Sequence, residues 1–329
     1  GCSAAPDKLR QFLYPLYAGF PHINIVDLGN ILAGNEVEDT YFALSNCIRE
    51  LIKKKIVPII IGGGQDLTYA NYLAYTDLEK TVNLAVVDNR FDLGKSEDPL
   101  NSHTFLSKLI TRQPNYLFNY SNIGYQTYFA DPAELNLMSK LFFDTFRLGE
   151  IQKNLQEVEP IVRNSDILSF DLSSIRYSDA PANGNAAPNG FYGEEACQIA
   201  RYAGMSDKIS SAGFYELNPA LDKNGQSAQL LSQIIWYFLE GFANRKGEHP
   251  LQNKKNYQKF RVTLGSDKQE IIFYKSRKTD RWWIDVPYPP KKGLKFERQL
   301  LIPCSYGDYQ AACSEDMPER WWKTYQKLL

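Results

Sequence analysis

Asp88-Asn89-Arg90-Phe91-Asp92 sets two carboxylates around a guanidinium in an Asp-x-x-x-Asp spacing. Gly62-Gly63-Gly64 runs into Gln65 and Asp66, and Asp171 closes a third apolar run. Each group follows a short aliphatic stretch, so each reads as a strand end. One Asp-x-x-x-Asp at a strand end can simply cap a following helix. Three such ends in one sheet point further, to a metal or ligand site. Clustered carboxylates are unfavourable unless positive charge compensates them.

The elements that must position these groups alternate along the chain. Residues 23–28, 57–61, 84–87, 120–124, 166–171 and 208–216 read as strands, the most apolar of them as buried strands. Residues 37–55 carry Val37, Tyr41, Leu44, Ile48, Leu51 and Ile52 at helical spacing, with Lys53, Lys54 and Lys55 at the end that favours cations. Residues 68–75, 102–110, 132–145, 150–159, 194–204 and 227–241 also read as helices. This alternation predicts a three-layer α/β/α fold around a mainly parallel sheet. In such sheets function collects at the carboxyl ends of the strands. After Gly241 the character changes. Residues 244–255 are polar and basic, 260–264, 270–274 and 282–286 read as short strands, and 306–329 as two helices. The expected organisation is an α/β domain over residues 1–249 and a C-terminal β/α extension over 250–329.

Composition narrows the function by exclusion. Lys plus Arg number 37 and Asp plus Glu 38, a net charge of −1, so the chain lacks the basic field of a non-specific nucleic-acid binder. The longest apolar stretch, 56–61, is far short of the roughly 18 residues of a membrane span. Five widely spaced cysteines with no C-x-x-C read as reduced thiols of a cytoplasmic protein. The Trp282-Trp283 and Trp321-Trp322 pairs read either as packing residues or as an exposed patch for a partner. No P-loop, G-x-G-x-x-G, G-x-S-x-G or H-E-x-x-H occurs.

The strand-end segments Gly63-Gly64-Gln65-Asp66, Asp88-Asn89-Arg90-Phe91-Asp92 and Ser169-Phe170-Asp171-Leu172-Ser173 resemble the three signatures of the ureohydrolase family. That family includes arginase, agmatinase and formimidoylglutamase, and its patterns are Gly-Gly-x-His, Asp-x-His-x-Asp and Ser-x-Asp-x-Asp. The segment from Asp179 to Gly184, Pro188 to Tyr192 with Glu195, and Phe214-Tyr215-Glu216-Leu217-Asn218-Pro219 are similar to its later motifs. Order and spacing agree over residues 6–245, and the branch most resembled is the formimidoylglutamase-like one. The resemblance implies an arginase-like fold. It also implies a strand ahead of the helix that begins near Pro6, so residues 1–5 read as the remnant of a longer N-terminal region.

The departures carry the functional expectation. The family binds two Mn²⁺ through two His and four Asp, and the metals activate a bridging water. Asp88, Asp92 and Asp171 match three of those carboxylates, and Gln65, Arg90 and Ser173 stand where the other three ligands would be. Arg90 is permanently cationic and has no lone pair to give. It either compensates Asp88 and Asp92 from between them, in place of a metal, or points to solvent. The expected cofactor is none, with Mn²⁺ at no more than one site as the alternative. His103 matches a loop used in proton transfer, or is a surface or capping residue. Glu195 matches a carboxylate that holds a guanidinium or formimino group, or is a helix-start carboxylate. Asn183 and Asn185 contact a ligand or form a turn. The expected protein is a catalytically impaired pseudoenzyme with a binding or regulatory role. The rival is a working C–N hydrolase with Asp92 and His103 in catalysis. Its partner would be a small guanidino or formimino ligand, and family members are often homo-oligomers.

Overall fold

The computed structural model describes every residue except 96, 249, 251–252, 266–268 and 288–295. The chain divides into one compact unit of Gly1–Met138 and Asp144–Arg245, and a second of Ser139–Phe143 and Lys246–Leu329.

The first unit is built on six parallel strands. They are β1 (Ile59–Ile61), β2 (Val82–Val87), β3 (Leu117–Tyr125), β4 (Asp144–Arg147), β5 (Ile167–Asp171) and β6 (Ser211–Tyr215). Their order across the sheet is β1-β6-β5-β2-β3-β4, every pair parallel. The period-two alternation of a strand gives each face its own helices. Ala85, Val87, Leu168, Phe170, Ala212 and Phe214 point to one apolar core shared with α1 (Ala5–Leu13), α7 (Val158–Arg163), α8 (Gly193–Gly204) and α9 (Gln226–Ala243). The intervening residues meet α3 (Leu67–Thr76) on the other face. There the hydroxyls of Ser169 and Ser211 bond Thr68 (2.7 Å) and Tyr75 (2.9 Å), which satisfies polar groups the sheet would otherwise bury unpaired. The mainly parallel α/β architecture expected from the alternation is present, and no helix is long and apolar enough to cross a membrane among the described residues.

Two expectations are corrected in this unit. Residues 23–28 form no strand; they run as an exposed arm. Asp27 and Asn30 turn inward onto Arg10 at 2.7 Å each, and Val26 and Leu32 stand 73% and 86% exposed. The apolar run looked like a buried strand, but its polar residues are the ones the fold holds. The predicted helix over 132–145 is instead α5 (Pro132–Lys140) followed by β4, whose Asp144-Thr145-Phe146-Arg147 lacks the apolar run of a central strand. Such charged residues suit an edge strand.

Helix α9 begins on a buried carboxylate. Asp222 accepts from the backbone N–H of Ser227 (3.1 Å) and Ala228 (2.9 Å), two of the donors a helix start leaves unpaired. Asp222→Ala is expected to cost about 2 kcal/mol, read as a lower urea midpoint at unchanged m.

The second unit is an antiparallel sheet of β7 (Tyr257–Leu264), β8 (Gln269–Ser276), β9 (Trp282–Asp285) and β10 (Leu301–Cys304), in the order β10-β9-β8-β7. Helices α10 (Tyr306–Cys313) and α11 (Glu319–Leu328) follow. Trp283 is buried with Tyr257, Tyr274 and Leu301, and Trp282 stacks on Tyr309 at 5.0 Å. Trp321 is buried and donates its indole N–H to the Asp285 carbonyl at 2.9 Å, while Trp322 is exposed. Three of the four tryptophans in the two pairs are therefore packing residues.

Candidate functional site

The carboxyl ends of β1, β2, β5 and β6 bring the candidate residues together. The strand ends are forced into tight turns. Gly62 and Gly63 take positive φ after β1, and so do Asp92 (52°) and Glu216 (68°), a conformation that costs a branched or bulky side chain.

Asp88 follows β2 and is 1% exposed; its Oδ1 accepts from the Arg90 backbone N–H at 3.0 Å. Asp171 ends β5 and accepts from the Ser173 N–H. Burial pushes the carboxyls of Asp88 and Asp171 well above the usual carboxylate range, and each also feels a neighbouring carboxylate. Asp92 is pushed up to about 7 by burial, with a hydrogen bond to Asp88 and the Arg90 charge pulling it back. Glu216, after β6, joins the cluster. Its Oε1 accepts from the Gln65 N–H at 2.9 Å, and the Cys2 thiol lies 3.9 Å from its Oε2. Burial raises both Glu216 and Cys2, the thiol to about 11, so Cys2 stays protonated beside the carboxylate.

His103 stands at the mouth. Its Nδ1 is 3.1 Å from Asp92 Oδ1 and its Nε2 is 3.4 Å from Asn185 Nδ2. Asn183 is buried behind it, accepting from the Asn185 N–H (2.6 Å) and donating to the Glu216 carbonyl (3.0 Å). The fold thus joins Asp92, His103, Asn185, Asn183 and Glu216 in one continuous chain of contacts. Glu195 sits in the first turn of α8, accepting from the Tyr192 N–H at 2.9 Å and the Gln152 amide at 3.0 Å. Both bonds go to one oxygen, a helix-start cap, while the carboxylate tied to the cluster by the Gln65 N–H is Glu216. A strand-end carboxylate in Phe-Tyr-Glu-Leu-Asn-Pro was the available signal for it.

Arg90 does not bridge Asp88 and Asp92, nor does it point to solvent. Its guanidinium lies over the Phe129 ring at 4.2 Å, and its Nε is buried without a partner among the described residues. Gln65 is 0% exposed and donates from Nε2 to Ser169 (3.3 Å), and its Oε1 has no partner among the described residues. The side-chain oxygens of Asn89, Asn122 and Gln126 are also buried without a donor among the described residues. The three amides are oriented by their N–H groups, which donate to the carbonyls of Ser173, Arg90 and Asn189. Unmet buried acceptors thus outnumber unmet donors around the cluster among the described residues, a condition that an N–H-bearing group relieves.

A family model described as the arginase family matches residues 1–240. The chain belongs to the arginase family. A Staphylococcus aureus formimidoylglutamase is 26% identical over 253 residues, covering 73% of this chain and 79% of that protein. Trypanosoma cruzi formiminoglutamase, solved with Mn²⁺, superposes with a TM-score of 0.69 at 22% identity, covering 75% of this chain and 88% of that one. Formimidoylglutamase from Bacillus subtilis gives 0.68 at 18% identity, covering 74% and 82%. At these identities the structural likenesses establish the fold.

The residues present do not fit the pair of manganese ions that the family resemblance implies. Arg90 has no lone pair and brings a positive charge, and Gln65 and Ser173 are neutral. Among the described residues, no group of three or more His, Cys, Asp or Glu is arranged to hold a metal ion.

Proposed function

We propose that this arginase-family chain is a binding protein that keeps the pocket for a small amidinium or guanidinium group and does not hydrolyse it. One observation carries the reading: at residue 90, between Asp88 and Asp92, where the resemblance expects a metal ligand, stands a permanent cation whose guanidinium rests on Phe129. Water is a weak nucleophile unless something takes its proton, and a dimetal centre is the family's means. Asp88 and Asp171, held toward their protonated forms by burial, are poor bases. The ligand's N–H groups would meet Glu216 and Asp92, with His103 and Asn185 closing the mouth.

Formimidoylglutamase relatives along three-quarters of the chain favour a second reading, a working hydrolase of a formimino substrate. Calorimetry with agmatine, arginine and formiminoglutamate, run beside an assay for released ammonia, formamide and urea, separates the two. Binding without release of product is expected; sustained turnover would sink the proposal. Glu216→Gln keeps the bond to the Gln65 N–H and removes the charge, so affinity is expected to fall by about 10- to 100-fold.

A further inference from the structure

The geometry points to Arg90 as the residue that keeps divalent cations out of the carboxylate cluster. The inference rests on the reading of the pocket as metal-free and assigns the cause to one side chain. Three carboxylates, Asp88, Asp92 and Asp171, remain buried at the strand ends. Two buried oxygen-bearing groups stand there: Gln65 Oε1, on a side chain 0% exposed and with no donor among the described residues, and the Asp88 carboxyl, 1% exposed and hydrogen-bonded to Asp92. Oxygens of this kind are what a hard cation seeks. Of the three residues at lost ligand positions, Gln65 and Ser173 offer only neutral oxygens, and neither repels an ion. Arg90 alone opposes it by charge.

Arg90 is also held where it stands. Its backbone N–H is bound to Asp88 Oδ1 at 3.0 Å, and its carbonyl accepts from the Asn122 amide at 2.6 Å. Its guanidinium rests on Phe129 at 4.2 Å, a favourable cation–π contact. The backbone is pinned on both sides and the guanidinium is stacked at the tip, which favours this placement of the side chain. A fixed positive charge beside a divalent ion in a low-dielectric pocket weakens binding by at least about 100-fold.

The test is Mn²⁺ titration of the whole chain, reading free Mn²⁺ by electron paramagnetic resonance. The chains are the wild type, Arg90→Gln, Arg90→Lys, and the double variant Gln65→His with Ser173→Asp. Thermal melts confirm folding, and Arg90→Met, which keeps the contact with Phe129, substitutes if Arg90→Gln does not fold. The expected result is one equivalent bound by Arg90→Gln, at least about 100-fold tighter than by the wild type. Arg90→Lys, which keeps the charge, and the double variant are expected to bind no better than the wild type. Stoichiometric binding by the double variant with Arg90 in place, or no gain in folded Arg90→Gln and Arg90→Met, overturns the role given to Arg90. Two equivalents on the wild type would overturn the metal-free reading itself, so the two failures are distinguishable.

Discussion

Changing Gln65→His, Arg90→His and Ser173→Asp together is expected to yield a chain that binds two Mn²⁺ ions. Each change supplies a ligand type where the family resemblance places one. Asp88, Asp92 and Asp171 are already at the ends of β2 and β5, and β1 places residue 65 beside β5, within reach of Ser169. Removing the guanidinium abolishes the repulsion, and two imidazoles and one carboxylate restore the donor count. Affinity for Mn²⁺ is expected to rise by at least about a thousandfold, roughly 4 kcal/mol. Isothermal titration measures it. A folded triple variant that still fails to bind would mean that the strand ends themselves have moved out of register with a dimetal geometry, and the account based on ligand chemistry alone would be wrong.

Gly204→Leu is expected to be the most damaging single change outside the site. At Gly204 a Cβ would lie 2.1 Å from the Phe238 carbonyl oxygen, and at Gly241 one would lie 2.2 Å from the Arg201 carbonyl oxygen. The two glycines face each other's helix across the α8–α9 crossing, and both obstacles are backbone, which cannot rotate aside. A larger residue must force the helices apart in a close-packed core that Ala200, Ala203 and Phe238 share. The expected loss is about 3 kcal/mol or more, a fall of roughly 6–12 °C in Tm for a unit of this size. Gly149→Ala is the control. It sits in α6 (Leu148–Lys153) with nothing within 4 Å of an added Cβ, and is expected to be neutral or stabilising by about 0.5 kcal/mol. Equal melting of both variants would show that the crossing is not glycine-dependent.

What could be read from the chain alone divides along a physical line. The buried strands β2, β5 and β6 are short apolar runs ended by polar residues, and that local pattern locates both strands and site, since function gathers where such strands end. The arm at 23–28 has the same apolar signature but no pairing partner among the described residues. What fixes it is Arg10, which holds Asp27 and Asn30 from a helix earlier in the chain. Strand β4 carries no such signature because an edge strand needs no apolar run. Within the site, Asp88, Asp92, Asp171 and His103 were legible from residue type and motif. The orientation of Arg90 was not, because Phe129 beyond β3 decides it. Glu195 and Glu216 are both carboxylates in motif-bearing segments. Only the placement of Glu195 three residues after Tyr192 at a helix start, a local capping pattern, separates them in sequence.

The carboxylate cluster of this arginase-family chain is expected to assemble no dimanganese centre. Anomalous diffraction at the manganese edge, from crystals of the wild type grown in excess Mn²⁺, tests it most directly. The account predicts no anomalous peak among Asp88, Asp92 and Asp171, with the Arg90 guanidinium still over Phe129. Two strong peaks between those carboxylates, with Arg90 displaced, would contradict it.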